Sequence, residues 1–246
     1  MDLHKKQDPF VRGLEKKALI LNLLREDTFS TVGNASLYLG ISRDNAYRTF
    51  KRLEKEGLVI LDERPWRLAQ RGKCAIWGLT KKGSRAIVGF ESSKYYNPKR
   101  VSNASIEHSL ETQRAKIFAL KVGWVWVSSR DVYQKAHKEP SRWLQVPDAI
   151  ATTPKGKVMA IEIERSEKSI ARYETIANNY CQMLYEQTIQ GIIYICDVEK
   201  KKSVERKILS PEKVFIQGRL NNFNETFKSK FIFLNIEEWE TYAKDP

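Results

Sequence analysis

The stretch Trp143–Arg165, WLQVPDAIATTPKGKVMAIEIER, decides the fold of the C-terminal part of the chain. Its first half, residues 146–151, is rich in β-forming side chains. Its second half, Val158–Glu164, alternates between two faces as a strand does. The intervening TTPKGK sequence favours a turn, because proline fixes φ and glycine permits the reversal. The stretch therefore predicts a β-hairpin.

Three carboxylates lie on this predicted hairpin, with Asp148 on the first strand and Glu162 and Glu164 on the second. The two glutamates are two residues apart, so a strand places them on the same face. Acidic side chains gathered in this way repel each other, and burying one without compensation raises its pKa or destabilises the fold. A divalent cation removes this penalty, and oxygen ligands select a hard ion such as Mg²⁺ or Mn²⁺. The alternative is a solvated acidic face that binds no ion.

The pattern Pro147-Asp148, a short turn and Glu162-Ile163 resembles the core motif of the PD-(D/E)XK nucleases. Glu164 stands where that motif has a lysine, and Lys168, expected at the start of the next helix, would supply the displaced positive charge. The wider sequence VPDAI, GKVMAIEIERSEKS and RY resembles the replication-relaxation proteins and the MOBC relaxases of mobilizable plasmids. These proteins combine a winged helix with a nuclease-like domain, and the resemblance covers nearly the whole chain.

The resemblance implies a plasmid mobilization relaxase, which nicks one DNA strand at an origin of transfer in a metal-dependent reaction. It assigns metal binding to the three carboxylates of the hairpin, with Glu111 as a further ligand. His108 aligns with a histidine that such relaxases carry in the first helix of this domain, and a hydrogen-bonding role inside the domain is equally open. Tyr173 is a candidate for covalent capture of the cut end, but its place on an apolar stripe favours packing. The implied partners are double-stranded DNA and a coupling protein or accessory mobilization protein.

Two other functions are compatible with the same residues. A restriction or repair endonuclease shares the metal chemistry but cuts both strands. A regulator of plasmid replication or transcription would bind DNA through the winged helix and carry an inactive nuclease-like domain. The absence of the motif lysine favours this second alternative.

The composition favours a nucleic-acid partner. The 246 residues carry a net charge of +13, and the isoelectric point is near 9.6, which suits a polyanion. The hydrophobic fraction of 41% is enough for proper cores, and the sequence has no run of ~18 apolar residues that would span a membrane. The N-terminus lacks the apolar region of a signal peptide, and the three cysteines have no metal-type spacing. We therefore expect a cytoplasmic protein.

The first 90 residues predict a DNA-reading module. Helical periodicity is present in three segments, Leu14–Leu24, Thr31–Leu39 and Arg43–Glu56. The break GIS between the second and third segments is the short turn of a helix-turn-helix. Leu58–Leu61 and Ala75–Leu79 are expected to pair as strands, and a closing helix is expected to begin at Thr80. The sequence ISRDNAYRTFKRLEKEGLV resembles the winged helix-turn-helix family.

In a winged helix the third helix enters the major groove, while the wing contacts the DNA backbone or the minor groove. Arginine and asparagine read base edges, and lysine mostly holds phosphates. The alternatives are ordinary solvated charges or a protein-binding surface. The predicted DNA contacts are Arg43, Asn45, Tyr47, Arg48, Lys51 and Arg52 on the helix, and Arg64, Arg67 and Arg71 on the wing.

The predicted fold is α/β (α+β) in three parts. They are a winged helix-turn-helix over residues 1–92, a linker at 93–104, and a PD-(D/E)XK restriction-endonuclease-like domain with a mixed central sheet over 105–246. In the last part, Ile106–Leu120 is expected to form a helix, and a long helix follows the hairpin. Gly191–Val198 is apolar almost throughout, as in a buried strand of a covered sheet.

Overall fold

Two units make up the chain, and the division between them falls inside a helix. The computed structural model describes residues 8–65, 73–87, 94–140 and 142–246. The two units are Met1–Ile117 and Phe118–Pro246, and each is compact because its residues contact mainly one another. Each unit has its own hydrophobic core.

The first unit begins with helices joined by short, capped turns. Its elements as far as residue 55 are α1 (Pro9–Asp27), β1 (Phe29–Ser30), α2 (Val32–Leu39) and α3 (Arg43–Lys55). Thr31 and Ser42 cap α2 and α3, because each hydroxyl accepts a hydrogen bond from the backbone N–H three residues further on. Gly40 ends α2 in the left-handed conformation that favours glycine. The predicted short break between the two helices is therefore confirmed.

A small antiparallel sheet and further helices complete the first unit. These elements are β2 (Val59–Pro65), β3 (Lys73–Leu79), α4 (Lys81–Arg85), a 3-10 helix (Pro98–Arg100) and α5 (Asn103–Lys121). The strands lie in the order β1-β3-β2, so that β3 is the middle strand. Phe50 and Leu53 of α3 and Trp77 of β3 are fully buried, and the rings of Phe50 and Trp77 stack with their centroids 5.1 Å apart. This packing uses one face of α3 and leaves the opposite face exposed.

The first part of α5 belongs to the first unit because Gln113 is buried there. Its Oε1 accepts hydrogen bonds from the Ser30 hydroxyl (2.7 Å) and from Nδ2 of Asn34 (2.9 Å). Its Nε2 donates to Oδ2 of Asp27 (3.0 Å). These contacts join α5 to the segment before α2 and to α2 itself. The linker predicted at residues 93–104 thus lies earlier in the chain than the division found in the structure.

The second unit alternates strands and helices. Its elements are β4 (Val125–Ser128), α6 (Ser129–Lys138), β5 (Ala149–Thr152), β6 (Val158–Glu164), α7 (Ile170–Tyr185), β7 (Gly191–Cys196), α8 (Lys201–Ile208), β8 (Lys213–Ile216), β9 (Arg219–Asn222), α9 (Glu225–Lys228), β10 (Phe231–Leu234) and α10 (Ile236–Tyr242).

The central sheet of this unit is mixed, with the strand order β10-β7-β6-β5-β4. Strands β10, β7 and β6 run parallel, whereas β6, β5 and β4 pair antiparallel. The predicted α/β class with a mixed central sheet is confirmed. Every residue of β7 is buried, as its apolar sequence predicts. Strands β8 and β9 pair with each other in a separate sheet.

Helix α7 covers the central sheet. It contributes Tyr173, Ile176 and Tyr180 to the hydrophobic core that also contains Ile150 of β5 and Ala160 of β6. Period-two alternation places Glu162 and Glu164 on the same face of β6 as Ala160. The acidic face of β6 is therefore directed towards α7. In the described part of the chain, no helix combines the length and the apolar character needed to cross a membrane.

Candidate active site and DNA-facing helix

The β5–β6 hairpin brings Asp148 and Glu162 to the same place. Ala149 pairs with Ile161 in the antiparallel ladder, so the register one residue further on sets Asp148 opposite Glu162. The predicted hairpin is confirmed, but β5 begins at Ala149 rather than at residue 146. The backbone N–H of Ile163 donates to Oδ2 of Asp148 (2.8 Å). The Asp148 carboxylate thus takes the place of a backbone carbonyl as the acceptor just beyond the end of the β5–β6 ladder.

Glu162 is held by donors from outside its own strand. Its Oε1 accepts hydrogen bonds from the Tyr180 hydroxyl and from Nε2 of Gln145 (3.4 Å). Tyr180 is fully buried on α7. Burial, followed by the negative charge of Asp148, raises the pKa of Glu162 to about 8. Asp148 and Glu162 therefore interact electrostatically, as the sequence predicts for carboxylates that share a face.

Glu164 forms an ion pair with Lys168. The side chain of Glu164 is only 3% exposed, and its Oε2 contacts Nζ of Lys168. Lys168 precedes α7 rather than starting it, because Ser169 is the N-cap of that helix. The predicted lysine thus lies beside the acidic strand, but its charge is paired with the glutamate that replaces the motif lysine.

Tyr173 is a packed core residue whose hydroxyl faces the same region. Its side chain is fully buried, and its hydroxyl accepts a hydrogen bond from the backbone N–H of Lys168 (3.2 Å). The ammonium group of Lys168 lies 5.7 Å from the centroid of the Tyr173 ring. Burial raises the pKa of Tyr173 well above its usual value, which disfavours the phenolate that a nucleophile needs. These contacts favour packing over covalent capture of DNA.

Tyr194 is a further polar residue of this site that sequence reasoning does not identify. It lies on β7 directly beside Glu162 in the parallel ladder, and its ring stacks on Phe233 with the centroids 5.3 Å apart. Within the described residues its buried hydroxyl has no hydrogen-bond partner. Burial, followed by the charges of Glu162 and Glu164, raises its pKa far above the usual range. A buried hydroxyl beside two acids adds a neutral donor to the site.

The donor chemistry of the site fits a hard divalent cation at two carboxylates. Across the described ranges, no three Asp, Glu, His or Cys side chains are arranged to hold a metal ion. Glu164 is engaged by Lys168, so the predicted set of three carboxylates is not assembled. Asp148 and Glu162 remain as a facing pair, and Mg²⁺ is commonly bound by one or two carboxylates together with water.

His108 and Glu111 lie on the part of α5 that belongs to the first unit. Both side chains are half-buried. The carboxylate pair lies in the second unit, so the structure does not test the predicted contribution of these two residues to the site. Their roles stay predictions.

A protein-family model described as replication-relaxation matches residues 21–193 of the 246. The chain belongs to the replication-relaxation family. The matched range runs from α1 into β7 and includes α3 and the whole acidic hairpin. Among curated proteins, none gives a significant match to the chain. Membership of the replication-relaxation family suggests a role in plasmid replication or relaxation.

In this replication-relaxation protein, α3 presents a polar face with an excess of positive charge. Its buried positions are Ala46, Thr49, Phe50 and Leu53. The exposed residues include most of the predicted DNA contacts, Arg43, Asn45, Tyr47, Arg48 and Arg52. Lys51 is half-buried, pairs with Glu54 (2.6 Å) and lies 5.7 Å from the centroid of the Trp77 ring. The outward positions of α3 are thus available to a ligand, while Lys51 is partly engaged by its neighbours.

Arg64, a predicted DNA contact on the wing, is bonded inside the first unit. Its Nε donates to Oδ2 of Asp62 (2.7 Å). Its Nη1 donates to the carbonyl oxygen of Val101 (2.6 Å), and its Nη2 donates to that of Pro98. These bonds favour a structural role, in which Arg64 fastens the segment before α5 to β2. Arg67 and Arg71 lie outside the described residues.

Proposed function

We propose that this replication-relaxation protein is a metal-dependent DNA nicking enzyme of the plasmid mobilization type. The observation that carries the proposal is the pair Asp148 and Glu162, which face each other at the end of the β5–β6 hairpin. Two interacting acids in a half-buried setting are costly unless a proton or a cation joins them. An oxygen-only pair suits Mg²⁺ or Mn²⁺.

The neighbouring side chains fix this pair in place. The Ile163 N–H orients Asp148 through Oδ2, and the buried Tyr180 hydroxyl orients Glu162 through Oε1. Bonds of this kind, made to the ligands rather than to the ion, hold carboxylates in the geometry that a metal needs. A bound divalent cation lowers the pKa of a coordinated water and stabilises charge on a phosphate. Lys168 keeps a positive charge beside the site through its pair with Glu164.

DNA recognition is assigned in this proposal to the first unit, acting as a winged helix-turn-helix. Its first three helices and its small antiparallel sheet support that assignment, and α3 presents exposed Arg43, Asn45 and Arg48. Arginine and asparagine make the side-chain contacts that distinguish guanine and adenine in the major groove. The net charge of +13 supports binding to a polyanion.

A regulator without catalytic activity is the second candidate. The observation that favours it is the Glu164–Lys168 ion pair, because a lysine neutralised by a carboxylate gives less stabilisation to a phosphate. Such a protein would still bind DNA through α3, so binding alone does not separate the two candidates.

The deciding experiment incubates the protein with a supercoiled plasmid that carries the DNA flanking its own gene, in Mg²⁺ or Mn²⁺. We expect open circles from the wild type and none from Glu162→Gln. Glu174→Gln is the matched control, because Glu174 is an exposed residue of α7, and it should nick normally. Linear product would indicate an endonuclease that cuts both strands. Unchanged supercoils with tight DNA binding would refute nicking and support the regulator.

A further inference from the structure

The β8–β9 hairpin, residues 213–222, is a two-stranded ribbon outside the matched family range. Phe215 pairs with Leu220 in its antiparallel register. Its turn consists of Gln217 and Gly218, whose φ angles are 52° and 72°. Two consecutive residues with positive φ form the tight turn whose twist suits a two-residue hairpin.

Helix α7 anchors the inner side of this ribbon. Val214 and Ile216 are buried in the core of the second unit. The backbone N–H groups of Phe215 and Gln217 donate to Oδ1 of Asn178 (2.8 Å) and Oε1 of Gln182 (2.6 Å). These two amides are one turn apart on α7, so they satisfy the N–H group of Phe215 in β8 and that of Gln217 in the turn. The ribbon is therefore fixed in position and does not depend on its outer face for stability.

The outer face of the ribbon is apolar at its centre and exposed to solvent. Alternation and register place Lys213, Phe215, Leu220 and Asn222 on this face, and all four are exposed. Phe215 is 55% exposed and Leu220 is 54% exposed. A paired aromatic and aliphatic side chain on an anchored ribbon forms a small apolar wedge.

The charge of the ribbon indicates which kind of partner it binds. The ten residues KVFIQGRLNN contain a lysine, an arginine and three side-chain amides but no aspartate or glutamate. Glu212 and Glu225 lie just outside it. This chemistry suits a polyanion better than a second copy of this chain. A two-stranded ribbon fits a DNA groove, and apolar wedges enter between base steps in bent DNA.

We propose that the β8–β9 ribbon is a second DNA contact, at which Phe215 and Leu220 insert at a base step and Lys213, on the same face, contacts a phosphate. The inference rests on the proposed function, since it assumes that the protein binds duplex DNA. It adds a DNA-deforming surface to the second unit. Helix α7 supports this surface through Asn178 and Gln182 and orients Glu162 through Tyr180.

The test uses the full-length protein and duplexes of plasmid-flanking DNA in which 2-aminopurine replaces adenine at successive positions. We expect the wild type to raise fluorescence at one step by unstacking the probe. The double variant Phe215→Ser/Leu220→Ser should lose that signal and bind about tenfold more weakly, as expected when an aromatic contact with a base is removed. Tyr133→Ser is the matched control, because Tyr133 is 63% exposed on α6, and it should keep both properties. Phe215→Trp, which keeps an aromatic side chain in the wedge, should retain the fluorescence signal.

A second readout separates the charges from the wedge. Lys213→Ala should lower the slope of log affinity against log salt by about one, because each lost phosphate contact contributes about 0.9. All variants should keep the wild-type unfolding temperature, since the changed side chains are exposed. If the wild type binds and nicks DNA but the wedge variant keeps its affinity and fluorescence signal, the ribbon inference alone is refuted. Self-association that the wedge variant abolishes, without an effect on DNA, would refute it in favour of a dimer contact. Absence of DNA binding by the wild type would refute both the inference and the proposed function.

Discussion

Replacing Glu162 with glutamine tests the electrostatics of the acidic pair without a cleavage assay. Burial and the charge of Asp148 raise the pKa of Glu162 from 4.5 to about 8. The folded protein therefore keeps a proton at Glu162 that the unfolded chain releases as the pH rises through 4.5. The stabilising contribution of this proton is complete below about pH 4.5 and is lost progressively as the pH rises to about 8.

The size of this loss of stability follows from the interval between the two pKa values of Glu162, 4.5 in the unfolded chain and about 8 in the folded protein. Each pH unit within it contributes about 1.4 kcal/mol, so the wild type loses at most about 5 kcal/mol of unfolding free energy by pH 8. Glutamine cannot ionise but still accepts a hydrogen bond from Tyr180. Glu162→Gln should therefore lack this pH dependence and should be more stable than the wild type at pH 8.

The assay is urea unfolding from pH 4.5 to 8.5 in the presence of a chelator, for the wild type, Glu162→Gln and the control Glu174→Gln. The control should follow the wild type at every pH. Adding Mn²⁺ at pH 8 should stabilise the wild type and not Glu162→Gln, because a ligand stabilises only the state that binds it. If the wild type and Glu162→Gln showed equal pH dependence, the raised pKa of Glu162 beside Asp148 would be refuted. Equal stabilisation by Mn²⁺ would remove Glu162 from the metal site.

Three further changes test separate contacts. Tyr180→Phe removes the hydroxyl that orients Glu162, so Mn²⁺ affinity measured by electron paramagnetic resonance should fall by about tenfold or more; unchanged affinity would argue against an orienting role. Arg48→Ala should weaken DNA binding in a footprinting titration by about 1–3 kcal/mol, whereas Lys55→Ala, at the exposed end of the same helix, should have a smaller effect. Gln113→Ala should lower the unfolding free energy by about 3 kcal/mol, because it removes the buried hydrogen bonds that the amide makes with Ser30, Asn34 and Asp27, and an unchanged urea midpoint would contradict that.

Local features of the fold could be predicted from the sequence because their causes lie within a few residues. The alternation in Val158–Glu164 and the turn before it define the β5–β6 hairpin. The cap at Ser42 and the apolar spacing in Arg43–Lys55 define α3 and its exposed face. The same reasoning identified Asp148 and the two glutamates, because alternation shows which residues share a face.

The contacts that decide the chemistry could not be predicted, because they join residues distant in sequence. Tyr180 reaches Glu162 from a covering helix, and Tyr194 reaches it through a parallel strand pairing whose register no local pattern specifies. Arg64 has the exposed, basic character of a wing residue in the sequence, yet its partners come from a segment more than 30 residues away. Gln113 shows no signal of burial until its partners near residue 30 are known.

The position of α5 has a practical consequence for dividing the protein into fragments. A cut at residue 104 would remove Gln113 from Ser30 and Asn34 and leave a fragment whose first helix exposes groups that are buried in the intact chain. A cut at residue 117 would sever a continuous helix that ends at Lys121. Neither cut falls in an exposed loop, which is where a protein chain tolerates interruption best. Separate expression of the two halves should therefore yield pieces less stable than the parent, and a parent nicked at residue 104 should keep its halves associated through the hydrogen bonds of Gln113.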